Sequence, residues 1–515
     1  MHEQGKPPST AYLDGLRGIA ALVVFSFHTL WAYCGLVEYG YGDGAKNRHF
    51  IQLPFVRLFH AGHAMVPVFF VVGGYVMALR PLRRIRSRDV KKMHVHLAGF
   101  VFRKAVRLYL PAAVMTFVSM LTLHFGLWEY PRRFIANPRL FNYPDKHPPR
   151  APTLPAELSR WLGATAGLAR IFSYYNDGFV LPYYNPYDPH LWYLPFEMRS
   201  TLAVAATLLA LSRCRRPALR MALVLAAMVL CCRLDRWECA LFLAGALLAD
   251  LEMSLIPTQR KHPTTTTTTT TLAATTFLLL LPSLYLLSTP NLRIRHNPPP
   301  SGYPFLAAAL VPRTITDPKR FLHGLGAVLL VAAAIVLSRT AATATVVAAA
   351  AANRLVRSAA ARSYPLYLVH GPVLHVVGFG VAARAWRALG VVDVDVRGGT
   401  GAVAVEKDAF GGDEERWRWW WWRWAVGAGV GSAAAWGVAW VAAGLFERVV
   451  GRRVAGWAAG VEGRMMEAMG VGGRTEKEEG EEGEEMAVGR EEGRDRGEEG
   501  RYWEGLPRWE GRRSE

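Results

Sequence analysis

The segment YLDGLRGIAALVVFSFH, from Tyr12 to His28, decides how this chain is read. No charge interrupts Gly18–Phe27. With its flank out to Leu36 the segment reaches the roughly 20 mostly apolar residues that a membrane-spanning helix needs. Arg17 and His28 nevertheless belong to that helix. A charged side chain at mid-membrane costs about 2.5–3.5 kcal/mol on insertion scales, so polar residues in such helices point to function. Positions 17 and 28 are close to three full turns apart at 3.6 residues per turn. Both side chains therefore leave one face, separated by a rise of about 16 Å. Asp14 is placed to cap this helix or to pair with Arg17.

Working outward, the same pattern repeats along the 515 residues. The chain is 51% hydrophobic, but its mean hydropathy is only +0.12. That combination describes an apolar body with polar loops and tails. Ten spanning segments are predicted: Leu16–Leu36, Ala64–Leu79, Ala105–Gly126, Leu191–Ser212, Ala218–Cys232, Trp237–Ile256, Leu272–Ser288, Leu322–Ser338, Tyr364–Ala383 and Trp424–Phe446. The second is the weakest, being short. Ala341–Ala352 reads as an interfacial or buried helix, not an eleventh span. The expected fold is an all-α, polytopic transmembrane helical bundle of about ten spans, an integral multi-pass membrane protein. The opening MHEQGKPPSTAYLDG is polar for too long to be an ordinary signal peptide, so the first helix is read as retained.

The formal net charge is +19. Nucleic acid is rejected as the partner, because the cations flank apolar runs where the positive-inside rule expects them. The loop RPLRRIRSRDVKKMHVH, from Arg80 to His96, is the most basic short loop and is predicted cytoplasmic. Alternation then puts both termini in the cytoplasm. It also puts Arg213, Arg215, Arg216, Arg220, Arg354, Arg357 and Arg362 on that side, and Trp128–His190 opposite. The five cysteines show no CxxC spacing, and no His/Cys cluster is visible, so neither a metal site nor a disulfide framework is indicated.

The domain plan follows from these shifts in composition. Residues 1–11 are a polar leader to the body, 12–386 the transmembrane domain, 387–423 a polar loop with a Trp-rich belt, and 424–446 the last span. Residues 447–515 form a cytoplasmic tail. Within the body, Thr264–Thr271 is a low-complexity insertion. Trp417–Trp424 holds six Trp and two Arg and reads as an interfacial belt. From Val471 the tail has 15 acidic and 9 basic residues with few apolar ones, so disorder is expected from about residue 470.

Four further polar constellations lie in or beside spans. In HLWYLPFEMRST, Glu197 falls in the first turns of the fourth span, with Trp192 and Tyr193 anchoring it. A carboxylate there must be paired or protonated. It reads either as a packing ion pair, with Arg199 or another Arg, or as an acid, base or orienting group in a cavity. In SYPLYLVHGPVLH, His370 precedes Gly371 and Pro372, which break or kink the helix and can open a cavity. In FRKAVRLYLP, Arg103, Lys104 and Arg107 open the third span. Arg103 and Arg107 share a face, suited either to anchoring or to clamping a phosphorylated ligand. In PVFFVVGGYVM, Gly73 and Gly74 permit close helix packing.

Taken together, these motifs resemble the acyltransferase type 3 family of membrane-bound acyltransferases, in its fungal branch. Arg17 and His28 match its Arg-X10-His. FFVVGGY resembles its second-span motif, with Gly73 where Ser is common. Arg103, Lys104 and Arg107 with Leu108 resemble the start of its third span, with Lys104 in place of an Arg. Leu191, Trp192 and Glu197 match a Leu-Trp-x-x-x-x-Glu element, and Ser363 through Pro372 a late Ser-Tyr-x-Leu-Tyr-Leu-x-His-x-Pro. The resemblance covers about Tyr12–Phe379.

It implies transfer of an acyl group, often acetyl, from acyl-CoA to a hydroxyl of a sugar, lipid or small molecule. Acyl-CoA is then a co-substrate, with no tightly bound cofactor. His28, Glu197 and His370 are the implied catalytic group. Arg17, Arg103, Lys104 and Arg107 are the implied donor site. Asp14, Trp192 and Tyr367 support them. Oligomeric state is left open. The rival readings are a transporter or flippase, and an inactive protein of the same fold.

Overall fold

In the computed structural model, the opening segment forms one helix, α1 (Ala11–Tyr33). The structure describes residues 10–145, 148–172, 183–255, 266–292, 300, 302–338, 353–394, 403–405 and 414–468. Residues 1–459 make one unit and 460–515 a second.

All ten predicted spans are helical. They are α1, then α2 (Gly62–Arg86) and α3 (Val90–His124), with short α4 (Glu129–Ile135) and α5 (Leu154–Leu168) in the following loop. Next come α6 (Tyr193–Ala210), α7 (Pro217–Arg233), α8 (Trp237–Leu255), α9 (Thr266–Leu287), short α10 (Tyr303–Leu310) and α11 (Pro318–Ser338). The last group is α12 (Arg354–Val373), a π-turn at Leu374–Gly378, α13 (Phe379–Ala388), α14 (Glu414–Phe446) and α15 (Arg452–Ala468). Among the described residues, six helical stretches are long and apolar enough to cross a membrane: α1, α2, α3, α11, the run from Arg354 to Ala388, and the run from Arg416 to Ala468. Helix α8 is less uniformly apolar, because it carries Glu238, Asp250 and Glu252, all buried.

Three sequence expectations change. The second segment is not weak: α2 has 25 residues and is largely buried. Its glycines explain why. A Cβ on Gly74 would fall on the Phe242 carbonyl, and one on Gly245 of α8 on the Val71 carbonyl. The two backbones interlock where small residues permit it. The last helix begins at Glu414, so the Trp-rich belt is helix and not loop. Trp419, Trp421 and Trp422 are exposed as a belt requires, but Trp420 is buried, and Trp424 Nε1 donates to Leu140 O at 3.0 Å. The described residues also include an antiparallel strand pair, β1 (Val392–Val394) with β2 (Val403–Val405), pairing Val392 with Val405. The Thr run is helical from Thr266. Ala341–Ala352 and the acidic tail beyond Ala468 lie outside the described residues.

Buried ion pairs tie the helix ends together. Arg220, counted above as a loop cation, is 1% exposed and grips Asp250 through two bonds of 2.6 Å. Arg86 reaches the same carboxylate at 2.7 Å. Arg199 pairs with Glu238 at 2.6 Å. Removing one partner of such a pair strands a buried charge, at a cost of about 3–5 kcal/mol.

The contact that sets the site is between α1 and α12. Gly18 has no side chain, and a Cβ there would lie 2.6 Å from the Ala360 nitrogen. Ten residues further along each helix stand His28 and His370, with ring centroids 5.3 Å apart. Equal advance on both chains means the helices run parallel. A close approach at one depth fixes a second contact about 15 Å deeper.

Candidate functional site

Three histidines from three elements converge: His28 on α1, His370 on α12, and His190 in the short turn Pro189–Trp192 before α6. Their ligand nitrogens all lie within 4.8 Å of one another. His28 Nδ1 and His190 Nε2 are 3.2 Å apart, which requires one hydrogen between them. His190 is 5% exposed and His370 1%.

The outer partners fix how these rings carry their protons. His190 Nδ1 lies 2.8 Å from Asp188 Oδ1, a carboxylate that can only accept, so this nitrogen donates. His370 Nδ1 lies 2.7 Å from the Tyr367 carbonyl, so it donates too. Its Nε2 is then an acceptor, and it is buried without a hydrogen-bond partner. Tyr367 also donates its hydroxyl to the His190 carbonyl at 2.6 Å, pinning the turn that presents His190. Backbone N–H of His190 donates to Asp188 Oδ1 at 3.0 Å, so one carboxylate holds both turn and ring.

Asp145 completes the cluster. Its Oδ2 is 3.4 Å from His190 Nε2 and 3.3 Å from His375 Nε2. His375 sits in the π-turn and stacks on Trp128 at 4.9 Å. Burial opposes a charge on His190, but Asp145 and Asp188 together outweigh it and hold its pKa above the usual imidazole range. Burial likewise opposes the Asp145 charge, yet His190 and His375 keep its carboxyl far below the usual range. Three imidazoles and a carboxylate at these spacings suit proton transfer, and the three convergent nitrogens also suit a divalent cation.

The predicted donor residues gather at the other end of α1. Arg17 is half-buried and pairs with Asp14 at 3.5 Å. Arg107 lies within electrostatic reach of Arg17, Arg103 and Glu447. Glu197 is 8% exposed, and its carboxylate pairs with Lys104 and lies against the Tyr193 hydroxyl. The structure thus brings together His28 and His370 but sets Glu197 with Lys104, toward the Arg17 end. Arg199 is engaged with Glu238 and takes no part. Trp192 packs edge-on against Tyr193 and Phe196.

Sequence reasoning passed over His190, Asp188, Asp145 and His375. His190 opens the very motif that drew attention to Glu197, and Asp188 two residues earlier was the available signal. Asp145 and His375 gave none, because only the folded chain joins them.

Fold and site define a multi-pass integral membrane enzyme with its polar centre inside a helical bundle. The acyltransferase domain family matches residues 10–440, and the chain belongs to that family, acyltransferase type 3. It is an acyltransferase acting on groups other than aminoacyl. It is 29% identical to the O-acetyltransferase PaAT-1 of Phomopsis amygdali over 73% of this chain and 74% of that one. It is 22% identical to the acyltransferase R4 of a Phoma species over 75% and 87%. It is 24% identical to the acyltransferase clz18 of Cochliobolus lunatus over 47% and 58%. No solved structure matches.

Proposed function

We propose that the chain moves an acyl group, acetyl as in the name of its Phomopsis relative, from acyl-CoA to a hydroxyl of a small-molecule, sugar or lipid acceptor. The observation that carries this reading is the chain of contacts from Asp188 through His190 to His28. With Asp188 taking the Nδ1 proton of His190, His190 Nε2 can accept from His28 Nδ1. That leaves His28 Nε2 as a lone pair for the acceptor hydroxyl. The hydroxyl oxygen attacks the thioester carbonyl carbon while His28 removes its proton. The carbon–sulfur bond then breaks, and the proton returns from His28 to the leaving CoA sulfur. The added positive charge is shared with His190 and faces Asp188 and Asp145. His370 Nε2 orients the acceptor. General-base help of this kind is worth about 10²–10⁴ in rate.

Arg17, Arg103 and Arg107 receive the phosphates of CoA at the cytoplasmic mouth, and the arm bearing the thioester spans the rise of about 16 Å to His28. Lys104 and Glu197 brace this mouth as a pair. In this arrangement ten helices cross the bilayer and both termini are cytoplasmic. The basic end of α2 and the Arg220–Asp250 pair of α7 and α8 fall on one side, as that topology requires.

The test uses purified protein in nanodiscs with radiolabelled acetyl-CoA. His28→Ala should lose transfer by at least about 10² while still inserting and melting normally. Wild-type turnover in that variant would make His28 structural. Stoichiometric zinc in the purified protein would replace the proton-transfer role of the histidines with metal chemistry.

A further inference from the structure

A second buried polar cavity lies beside the histidines and is not used by this mechanism. Its empty space, about 250 Å³ including the part open to solvent, is bounded by the end of α1, the Val56–His60 turn, and the ends of α2, α9 and α11. Phe27 separates it from the histidine cluster. Its ring lies 5.3 Å from His28 on one side and 4.5 Å from His63 on the other.

Two cations face this cavity, and one of them has nitrogens that lack hydrogen-bond partners. Arg57 is 4% exposed, and burial draws its pKa down to about 10, which leaves it charged at neutral pH. Its Nη2 donates to the Val37 carbonyl at 3.0 Å. Its Nε and Nη1 are buried with no partner, leaving three N–H groups unengaged. Lys319 stands on the same wall, donating to His63 Nδ1 at 3.2 Å. The lining holds one carboxylate, Glu38, which accepts from Asn291 at 3.1 Å and approaches His63 at 3.9 Å. Among the described residues no carboxylate pairs with Arg57: Asp43 and Glu38 are within its field but outside ion-pair distance. His323 Nε2 is bonded to the Thr289 carbonyl at 3.0 Å. A buried guanidinium with three idle donors is costly unless an anion or ordered water meets it.

We propose that this cavity binds an anionic group of the acyl acceptor, a carboxylate or a phosphate, with Arg57 and Lys319 as its cationic contacts. This rests on the acyl-transfer reading, in which the donor's phosphates occupy the opposite end of α1. The cavity shares its end of the bundle with His28, so a hydroxyl at His28 and an anion at Arg57 belong to one small molecule lying past Phe27.

Two matched pairs of probes test this on the full chain in nanodiscs: quinate against methyl quinate, and glycerol 3-phosphate against glycerol. The pair that discriminates identifies the anion. In the wild type, kcat/KM for CoA release should favour the charged member at least about tenfold. Lys319→Met, at a half-buried position, should cut that preference to within about threefold, and Arg57→Lys should also reduce it. Equal kcat/KM within both pairs, or a preference unchanged by Lys319→Met, overturns the proposal. If neither pair supports CoA release, that counts against the acyl-transfer reading with these acceptors, and thermal shift decides the cavity alone. A charged probe that raises the melting temperature of the wild type more than its neutral partner, and not that of Lys319→Met, supports the site. Equal shifts overturn it.

Discussion

At one end of α1 the cations are partly exposed and tied to acids: Arg17 with Asp14, Lys104 with Glu197. At the other end stand imidazoles, of which His190 and His370 are buried, and His190 bonds to His28 and to the carboxylates behind it. The first arrangement keeps fixed charge at a surface, which suits holding a charged ligand. The second keeps tautomer-controlled rings largely away from water, which suits moving a proton. One helix, with two polar residues on one face, so separates binding from chemistry. In the proposed mechanism the two ends should also separate kinetically.

The most direct way to break that contrast is His190→Ala. It removes the acceptor behind His28 and should lower kcat about 10²-fold, with KM for acyl-CoA little changed. A loss confined to KM would put His190 in donor binding instead. Arg17→Gln is the reciprocal experiment. Loss of one charge-assisted phosphate contact should raise the acyl-CoA KM or Kd about tenfold, with kcat nearly kept. An unchanged CoA affinity would remove Arg17 from the donor site.

Lys104→Met asks whether the brace is structural. It strands the buried Glu197 and should cost about 2 kcal/mol of stability, below the fully buried case because Lys104 is partly exposed. The double variant with Glu197→Met should recover most of it in a thermal melt. Failure to recover would give Glu197 a role apart from the pair.

The finest distinction is in pH. Asp145 helps hold the His190 pKa above its ordinary value, and His190 must be neutral to accept the proton. Activity therefore rises with pH through the apparent pKa of the His28–His190 pair. Asp145→Asn removes a raising influence, so the acidic limb of the kcat profile should move to lower pH. A limb that stays, or moves up, separates Asp145 from the pair.

Much of the fold could be read from the chain because apolar runs and flanking cations report spans directly. The readable part of the site was what lies on helices: Arg17 and His28 by their shared face, His370 by the Gly-Pro that follows it. Glu197 was legible as a costly carboxylate but not in its partner. Lys104 sits 93 positions away, and only packing of α3 on α6 joins them. His190 and Asp145 occupy loops, where no periodicity marks a direction. The second span reads as short because its apolar run stops at Leu79, whereas the helix continues through the arginines to Arg86.

The π-turn at Leu374–Gly378 has a separate consequence. Inserting one residue into a helix advances everything after it by about 100°. Upstream, the azimuth of the helix is set by His370 facing His28. Downstream it is set by Trp386, clamped by Gly427 and bonded to the Trp424 carbonyl at 2.8 Å. The wide turn works as a clutch between these two settings. Chains that descend from this one should tolerate sequence drift on either side of it far better than a one-residue deletion within it, which would force either the histidine or the tryptophan out of phase.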